Sequence, residues 1–477
     1  MNNLIVKYRS LSISLKATLW FTFSKFLQKG IALITTPIFT RYLSTSEYGL
    51  VNVFYSWHDI ILIFVSFNFA AGVYNNGINK FKDKEDEFTS ASLGLSCIFT
   101  LCVFSLYLLF STYWESISNL SQVLTYVMLI QLILSTAMDL WSAKQRFYYK
   151  YRLLVFVSLF ISILAPIVSV VSFSFFSNRA YSRILSYNFL QIFVFCFFFF
   201  YLFYKGKTFY DKKYWSYLLK LGTPLVPHYL SQVILNNSDK ILISLRIGAD
   251  ASGIYSVAYS GAMILNILNQ SLNASLLPWM YRRLNDKKYS DIRRIVNITL
   301  VFVAMSACLL MLFAPEFISI LAPKSYADAT NIIPFVSCGV FFMFLSSVFI
   351  NIEMYYEKSQ FITLASLFTA LFNLISNYIL LPILGYKVAG FITLLSYLLL
   401  SFFHYLFLKK ILKSETNKML NTKFIFVLST SLVVACFVVL FTYNYVVIRY
   451  TLILFTLFFL FKQRDKWIVV FMRKELK

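Results

Sequence analysis

Charge is scarce in this chain. Asp, Glu, Lys and Arg make up 13% of 477 residues, against roughly a quarter in soluble domains. Hydrophobic residues reach 59% and mean hydropathy is +0.71, which excludes a soluble globular domain and leaves an integral membrane protein. Cysteine is sparse as well. Cys97, Cys102, Cys196, Cys308, Cys338 and Cys436 all fall inside apolar runs, without CxxC or metal spacing. They read as small buried hydrophobes, and no disulfide framework is implied. The three histidines, His58, His228 and His404, form no cluster, and GxxxxGK[ST], HExxH and GxSxG are all missing. No cofactor, metal site or catalytic residue is therefore expected. Loops between apolar runs stay under about 20 residues, too short for an extramembrane catalytic domain. No small-residue cleavage site follows the first apolar run, so no cleaved signal peptide is expected.

What the chain does have is apolar length. Runs of about 20 residues read as membrane helices near 16–38, 50–73, 90–112, 121–142, 153–175, 183–204, 217–243, 254–278, 295–315, 330–352, 360–382, 388–408, 424–443 and 447–462. That makes about 14 spans in an all-α polytopic membrane protein. The 52 Phe and 33 Tyr suit lipid-facing and interfacial surface. With both termini placed in the cytoplasm and the spans alternating, inner loops receive about 33 of the 43 Lys and Arg and outer loops about 7. This is the positive-inside layout. The net charge of +23 is thus a topology signal in short clusters, and a nucleic-acid partner is excluded.

A shift of 204 residues brings Gly49 onto Gly253, Val53 onto Val257, Tyr55 onto Tyr259, Ser56 onto Ser260 and Gln28 onto Gln232. It maps the first span onto the seventh. Six spans per repeat gives halves of one orientation, related by an axis along the membrane normal. The expected organisation is two pseudo-symmetric six-helix lobes, 1–206 and 214–413, and a C-terminal helix pair with a basic tail, 423–477.

Polar residues inside these runs are costly and mark a pathway or a site by default. Lys25 and Lys29 are four apart on one face of the first span, roughly 13 and 20 Å deep at 1.5 Å per residue. Each costs roughly 2.5–3.5 kcal/mol facing lipid, so they should face a hydrated cavity or a counter-charge; the alternative is a later helix start with both snorkelling. Asp59, beside His58 in the second span, falls at the level of Lys29. A Lys29–Asp59 pair is expected, serving either structural neutralisation or proton coupling. Pro224 and Pro227 interrupt the seventh span next to His228, as a hinge lining a cavity or as a static kink. Asp239 and Lys240 follow toward its outer end, where Lys240 snorkels or pairs with its neighbour. Asn266, Asn269, Gln270 and Asn273 form a polar stripe on the eighth span, and Asn373 and Asn377 a shorter one on the eleventh. Both fit either interhelical hydrogen bonding or a lining for sugar hydroxyls.

The segment TPLVPHYLSQVILNNSDKILI followed by GIYSVAYS resembles the central signature of Wzx-type oligosaccharide-lipid flippases, within the multidrug/oligosaccharidyl-lipid/polysaccharide exporter superfamily. TTPIFTRYLSTSEYGLVNVFYSW resembles that family's first two helices, and YYEKSQFITLASLFTALFNLISNYILLPILGYKVAGFITLLSYLLLSFFHY its eleventh and twelfth. The likeness covers most of residues 15–410. It departs from the usual pattern at Lys240, where Arg is common, and at Thr45, where Pro is. The resemblance implies two lobes around a central cavity in a bacterial cytoplasmic (inner) membrane. It implies alternating access that carries undecaprenyl-diphosphate oligosaccharide to the outer leaflet, for O-antigen or capsule synthesis. It also implies H+ or Na+ as coupling ion and polymerase and chain-length proteins as partners. Lys25, then Lys29, are the expected diphosphate contacts. Two other readings are a membrane-embedded polymerase or ligase of the same pathway, which generally carries a long outer loop missing here, and a cation-coupled drug exporter.

Overall fold

A computed structural model describes residues 12–357, 359–412 and 416–464. Lys7, Arg9, Lys358, Lys413 and the basic tail after 464, which entered the charge count above, lie outside the described residues. Among the described residues there is no strand. The helices longer than ten residues are α1 Ile13–Tyr42, α2 Thr45–Ser66, α3 Glu85–Leu109, α4 Gln122–Phe147, α5 Tyr151–Ser172, α6 Arg179–Gly206, α7 Lys212–Gly222, α8 Val226–Arg246, α9 Ala249–Ala262, α10 Ile264–Asn285, α11 Tyr289–Leu312, α12 Ile333–Tyr355, α13 Ser359–Leu384, α14 Val388–Leu412, α15 Thr422–Thr442 and α16 Val446–Lys462.

Every one of the fourteen apolar runs is helical. Among the described residues eleven helices are long and apolar enough to cross a membrane, with α9 and α10 forming one stretch. The other three runs are α1 and α8, which carry buried-depth charges, and α16, only 17 residues long. Helix starts follow local chemistry. At α2 the Ser44 side chain accepts from the Glu47 amide while Glu47 accepts from the Ser44 amide at 2.8 Å, a reciprocal cap that begins the helix five residues before the apolar run. Thr45 and Ala249, the first residues of α2 and α9, are offset by the same 204 residues as the sequence repeat.

Packing divides the chain into Met1–Val233 and Ile234–Lys477. The division falls inside α8 and not in the linker near 207–213. The reason is that α7 packs onto the first unit, with Tyr214 and Leu218 in one core with Phe81, Phe88, Trp141 and Phe198. In the second unit, Leu432, Cys436 and Ile453 of the C-terminal pair share a core with Leu300, Phe341 and Leu400, so that pair is not a separate domain by packing.

Close approaches in the first unit rest on glycine. A Cβ at Gly206 would lie 2.1 Å from the Asp86 carbonyl oxygen and 2.3 Å from Ser90 Cβ. Gly206→Ala must push α6 away from α3, an overpacking cost of about 1–3 kcal/mol or more. We expect a lower melting temperature in detergent for this variant, whereas Gly385→Ala, with open space around it, tests only backbone strain at φ 76°.

Candidate functional site

In the first unit, α1 carries a stripe of Ser14, Thr18, Thr22, Lys25, Lys29 and Thr36. At 100° per residue these six fall within an arc of about 80°. Lys25 and Lys29 are exposed, and neither has an ionic partner among the described residues. A second exposed face carries Leu19, Phe23 and Ile34, centred roughly 130° from the centre of the stripe by the same geometry. One face suits hydrocarbon; the other, with two ammonium groups, suits water. The helix is held by few residues: of its thirty, only Ala17, Ser24, Phe39 and Thr40 are buried, and it packs chiefly on α5.

That packing corrects the expected Lys29–Asp59 pair. Because α1 leans on α5 and barely touches α2, Lys29 does not reach Asp59. The half-exposed Asp59 carboxylate instead lies 3.4 Å from Nδ1 of the buried His58. Asp139 of α4, not singled out in the sequence, is exposed between the buried Met138 and Leu140, and lies within electrostatic range of Arg146 and His58. It is the sole acid in α4, and that isolation was the signal.

Pro224 lies in a 3₁₀ turn, Thr223–Leu225, between α7 and α8, and Pro227 in the first turn of α8. The interruption is therefore a real break in the α ladder, and His228, half-buried just after it, lies 5.7 Å from the Tyr229 ring at a tilt of 56°.

The second unit holds a buried polar network around Asp239 of α8, which is 1% exposed. Its Oδ1 accepts from Asn377 Nδ2 at 2.8 Å. Its Oδ2 accepts from the Tyr255 hydroxyl at 2.5 Å and from Thr393 Oγ1 at 2.6 Å. Asn377 also donates to the Asn373 carbonyl at 3.0 Å. Asn373 accepts from Ser238 Oγ at 2.9 Å and donates to Ser396 Oγ at 3.2 Å. The four helices α8, α9, α13 and α14 thus converge on one carboxylate. The donors are neutral and the bonds short, as for charge-assisted acceptors. The buried Asn377 Oδ1 has no hydrogen-bond partner. The cluster offers several oxygen ligands and a single negative charge, which suits a proton or a monovalent hard cation. Among the described residues, no group of three His, Cys, Asp or Glu side chains is placed to hold a metal.

Lys240 does not turn to its neighbour Asp239, since adjacent helix residues do not face each other. Its Nζ donates to Asn237 Oδ1 at 3.3 Å and sits 5.0 Å from the centre of the Tyr259 ring.

The asparagine stripes divide. Asn373 and Asn377 are fully buried and hold Asp239, so in this structure they line no cavity. Asn269 donates to the Val340 carbonyl at 2.9 Å, and Asn273 accepts from Asn351 at 2.6 Å; both bind helices together. Gln270 is exposed and Asn266 half-buried. The sequence reading missed Tyr255 and Thr393, together with the fully buried Glu353–His404 pair at 2.9 Å.

Residues 14–282 match the family model described as polysaccharide biosynthesis protein, and residues 224–379 match a second, MatE. The uncharacterized membrane protein MJ1068 of Methanocaldococcus jannaschii is 28% identical over 230 residues, 47% of this chain and 45% of that protein. Lsg locus putative protein 1 of Haemophilus influenzae is 26% identical over 141 residues, 28% of this chain and 35% of its own length. The chain therefore matches less than half of either relative. Among solved structures, the lipid II flippase MurJ in an inward closed conformation superposes with a TM-score of 0.68 at 14% identity, covering 94% of this chain and 99% of that one. An inward-facing multidrug resistance MATE family transporter of the MOP superfamily gives 0.56 at 12% identity, covering 82% and 96%. The chain is a multi-pass membrane protein with the MOP-superfamily fold, and it belongs to the polysaccharide biosynthesis protein family.

Proposed function

We propose that this protein is a flippase carrying undecaprenyl-diphosphate-linked oligosaccharide repeat units from the cytoplasmic to the outer leaflet by alternating access, coupled to H+ or Na+. The observation that carries the reading is the exposed Lys25–Lys29 stripe on a helix whose other exposed face is apolar. The substrate's lipid tail stays in the bilayer, but its diphosphate and glycan need a polar path, and α1 supplies cations, hydroxyls and water access along one line. Lys25 and Lys29 contact the diphosphate, with Gln270 and Asn266 toward sugar. Asp239 is the coupling site, and its ring of oxygen ligands gives the ion or proton a place to bind. Asp59, His58 and Asp139 form a second titratable group in the other unit. The 3₁₀ turn at Pro224 is the hinge. The MatE match over 224–379 favours one other reading, a cation-coupled drug exporter.

Lys25→Ala tests the assignment. A hydrogen bond to a charged group is worth about 1.5–3 kcal/mol, which is roughly tenfold to hundredfold in affinity. Outward-facing lipid-linked units, counted with an impermeant glycan label, should fall by at least about tenfold while the protein stays in the membrane. Normal translocation at normal expression would remove Lys25 from the path. In cells lacking the protein, complete repeat units should be trapped facing the cytoplasm. Units that reach the outer face would overturn the flippase reading.

A further inference from the structure

The first unit contains a cavity of about 390 Å3 that the α1 stripe does not touch. It sits where α3 begins and where α4 and α6 end, on the membrane side where basic residues concentrate. One wall is a closed polar group. Lys144 Nζ lies 3.0 Å from Glu85 and 2.5 Å from Asp86, and the Tyr148 hydroxyl donates to Glu85. The acids of the lining are thus already engaged.

Three more lysines line it, Lys82, Lys150 and Lys205. All are exposed, and none is paired with a carboxylate among the described residues; Lys150 sits only over the Tyr148 ring, at 5.7 Å. Four lysines against two acids leave the cavity with a net charge of +2. Glu87, in the same first turn of α3, is taken by Lys84.

The cavity is preformed. Gly206 lets the end of α6 touch the backbone of α3, and no side chain larger than hydrogen fits there. Its floor is apolar: Trp141 is buried and packs on Phe198 with ring centres 4.1 Å apart. At its edge the exposed Tyr201 stacks on the exposed Phe197 at 6.2 Å. Phe189, Phe193 and Phe200 continue that exposed face up α6, so the cavity adjoins a surface suited to hydrocarbon. Free cations beside an apolar, lipid-suited face fit an amphipathic anion. Basic pockets between membrane helices commonly take phosphate headgroups.

We propose that this cavity binds a phosphate-bearing lipid headgroup, with the three free lysines on the phosphate and the acyl or prenyl chain along Phe197 and Tyr201. Two lipids share that chemistry, an anionic phospholipid of the bilayer and the lipid diphosphate of the substrate. The second source rests on the flippase reading and the first does not.

The test uses the full chain reconstituted in phosphatidylcholine, with phosphatidylglycerol or undecaprenyl diphosphate added, and native mass spectrometry to count retained lipid. Wild type should retain added anionic lipid, and K82A/K150A/K205A should retain at least about tenfold less. Retention of phosphatidylglycerol alone assigns the site to bilayer lipid. Retention of undecaprenyl diphosphate alone assigns it to a holding site for substrate. The triple arginine variant should bind like wild type, and high salt should release the lipid from both. If the alanine variant does not fold, these two measurements decide. Equal retention by wild type and a folded alanine variant, or retention indifferent to salt, overturns the proposal. Phosphatidylglycerol retention does not involve the translocation path, so its loss in the alanine variant separates failure here from failure of the flippase reading.

Discussion

Replacing Asp239 with alanine should abolish translocation and lower the melting temperature of the purified protein. The carboxylate accepts from Asn377, Tyr255 and Thr393 in a site closed to solvent. Its removal takes the carboxylate from the Tyr255 hydroxyl and from one Asn377 N–H, at about 1–3 kcal/mol each, while Thr393 keeps the Ala389 carbonyl at 2.9 Å. Losses of that size are a sizeable share of the roughly 5–15 kcal/mol that typically holds a domain folded. Asp239→Asn separates structure from function. The amide has the same shape, and the Tyr255 and Thr393 hydroxyls can rotate to accept from it, so stability should largely return. The negative charge does not return. In vesicles with an imposed Na+ or proton gradient, this variant should lose the gradient's effect on translocation. Gradient-driven transport at the wild-type rate in the asparagine variant would take Asp239 out of the coupling role.

The second large effect concerns Glu353 and His404. Both side chains are fully buried, with Nδ1 lying 2.9 Å from Oε2 and 3.1 Å from Oε1, inside a core that includes Phe349, Ile352, Leu400 and Leu408. The other imidazole nitrogen, Nε2, is buried without a partner. Glu353→Ala therefore leaves the ring with no hydrogen bond at all. Leaving a buried polar group without a partner costs about 1–3 kcal/mol, and thermal unfolding in detergent should show it. The double variant Glu353→Leu with His404→Leu should recover most of the loss, because packed aliphatic groups need no partners. A double variant no more stable than the single one would mean that the cost lies in volume and not in polarity.

The helices were legible because a bilayer requires long apolar runs, and only a helix satisfies their backbone. The boundaries were less so. The second span begins at Thr45, earlier than its apolar content suggests, although Ser44 and Glu47 carry a capping pattern that marks the start. The break at Met263 between α9 and α10 has no proline, only Gly261 two residues before it, and the sequence reading ran through it. Among site residues, Lys25 and Lys29 could be grouped because four residues of spacing is a local rule. The surroundings of Asp239 could not. Its partners lie 16, 138 and 154 positions away, and no local pattern selects Tyr255 or Thr393 from the other hydroxyls of their helices. Asp239 was placed near the interface with Lys240, and the structure sends the two in different directions. The Lys29–Asp59 pair failed for the matching reason: depth along two helices can be counted from sequence, but their being neighbours cannot.

The sparse anchoring of α1 has an evolutionary consequence. Only four of its thirty residues are buried, so residues of the polar stripe can be exchanged with little effect on folding, as for exposed positions generally. Mutation can therefore change the polar face of this helix without first compensating a loss of stability. The Asp239 ring has the opposite property, since each member satisfies another and a change at one strands the rest. Under changing selection, the lineage of this protein should drift along α1 while the carboxylate and its ring stay fixed.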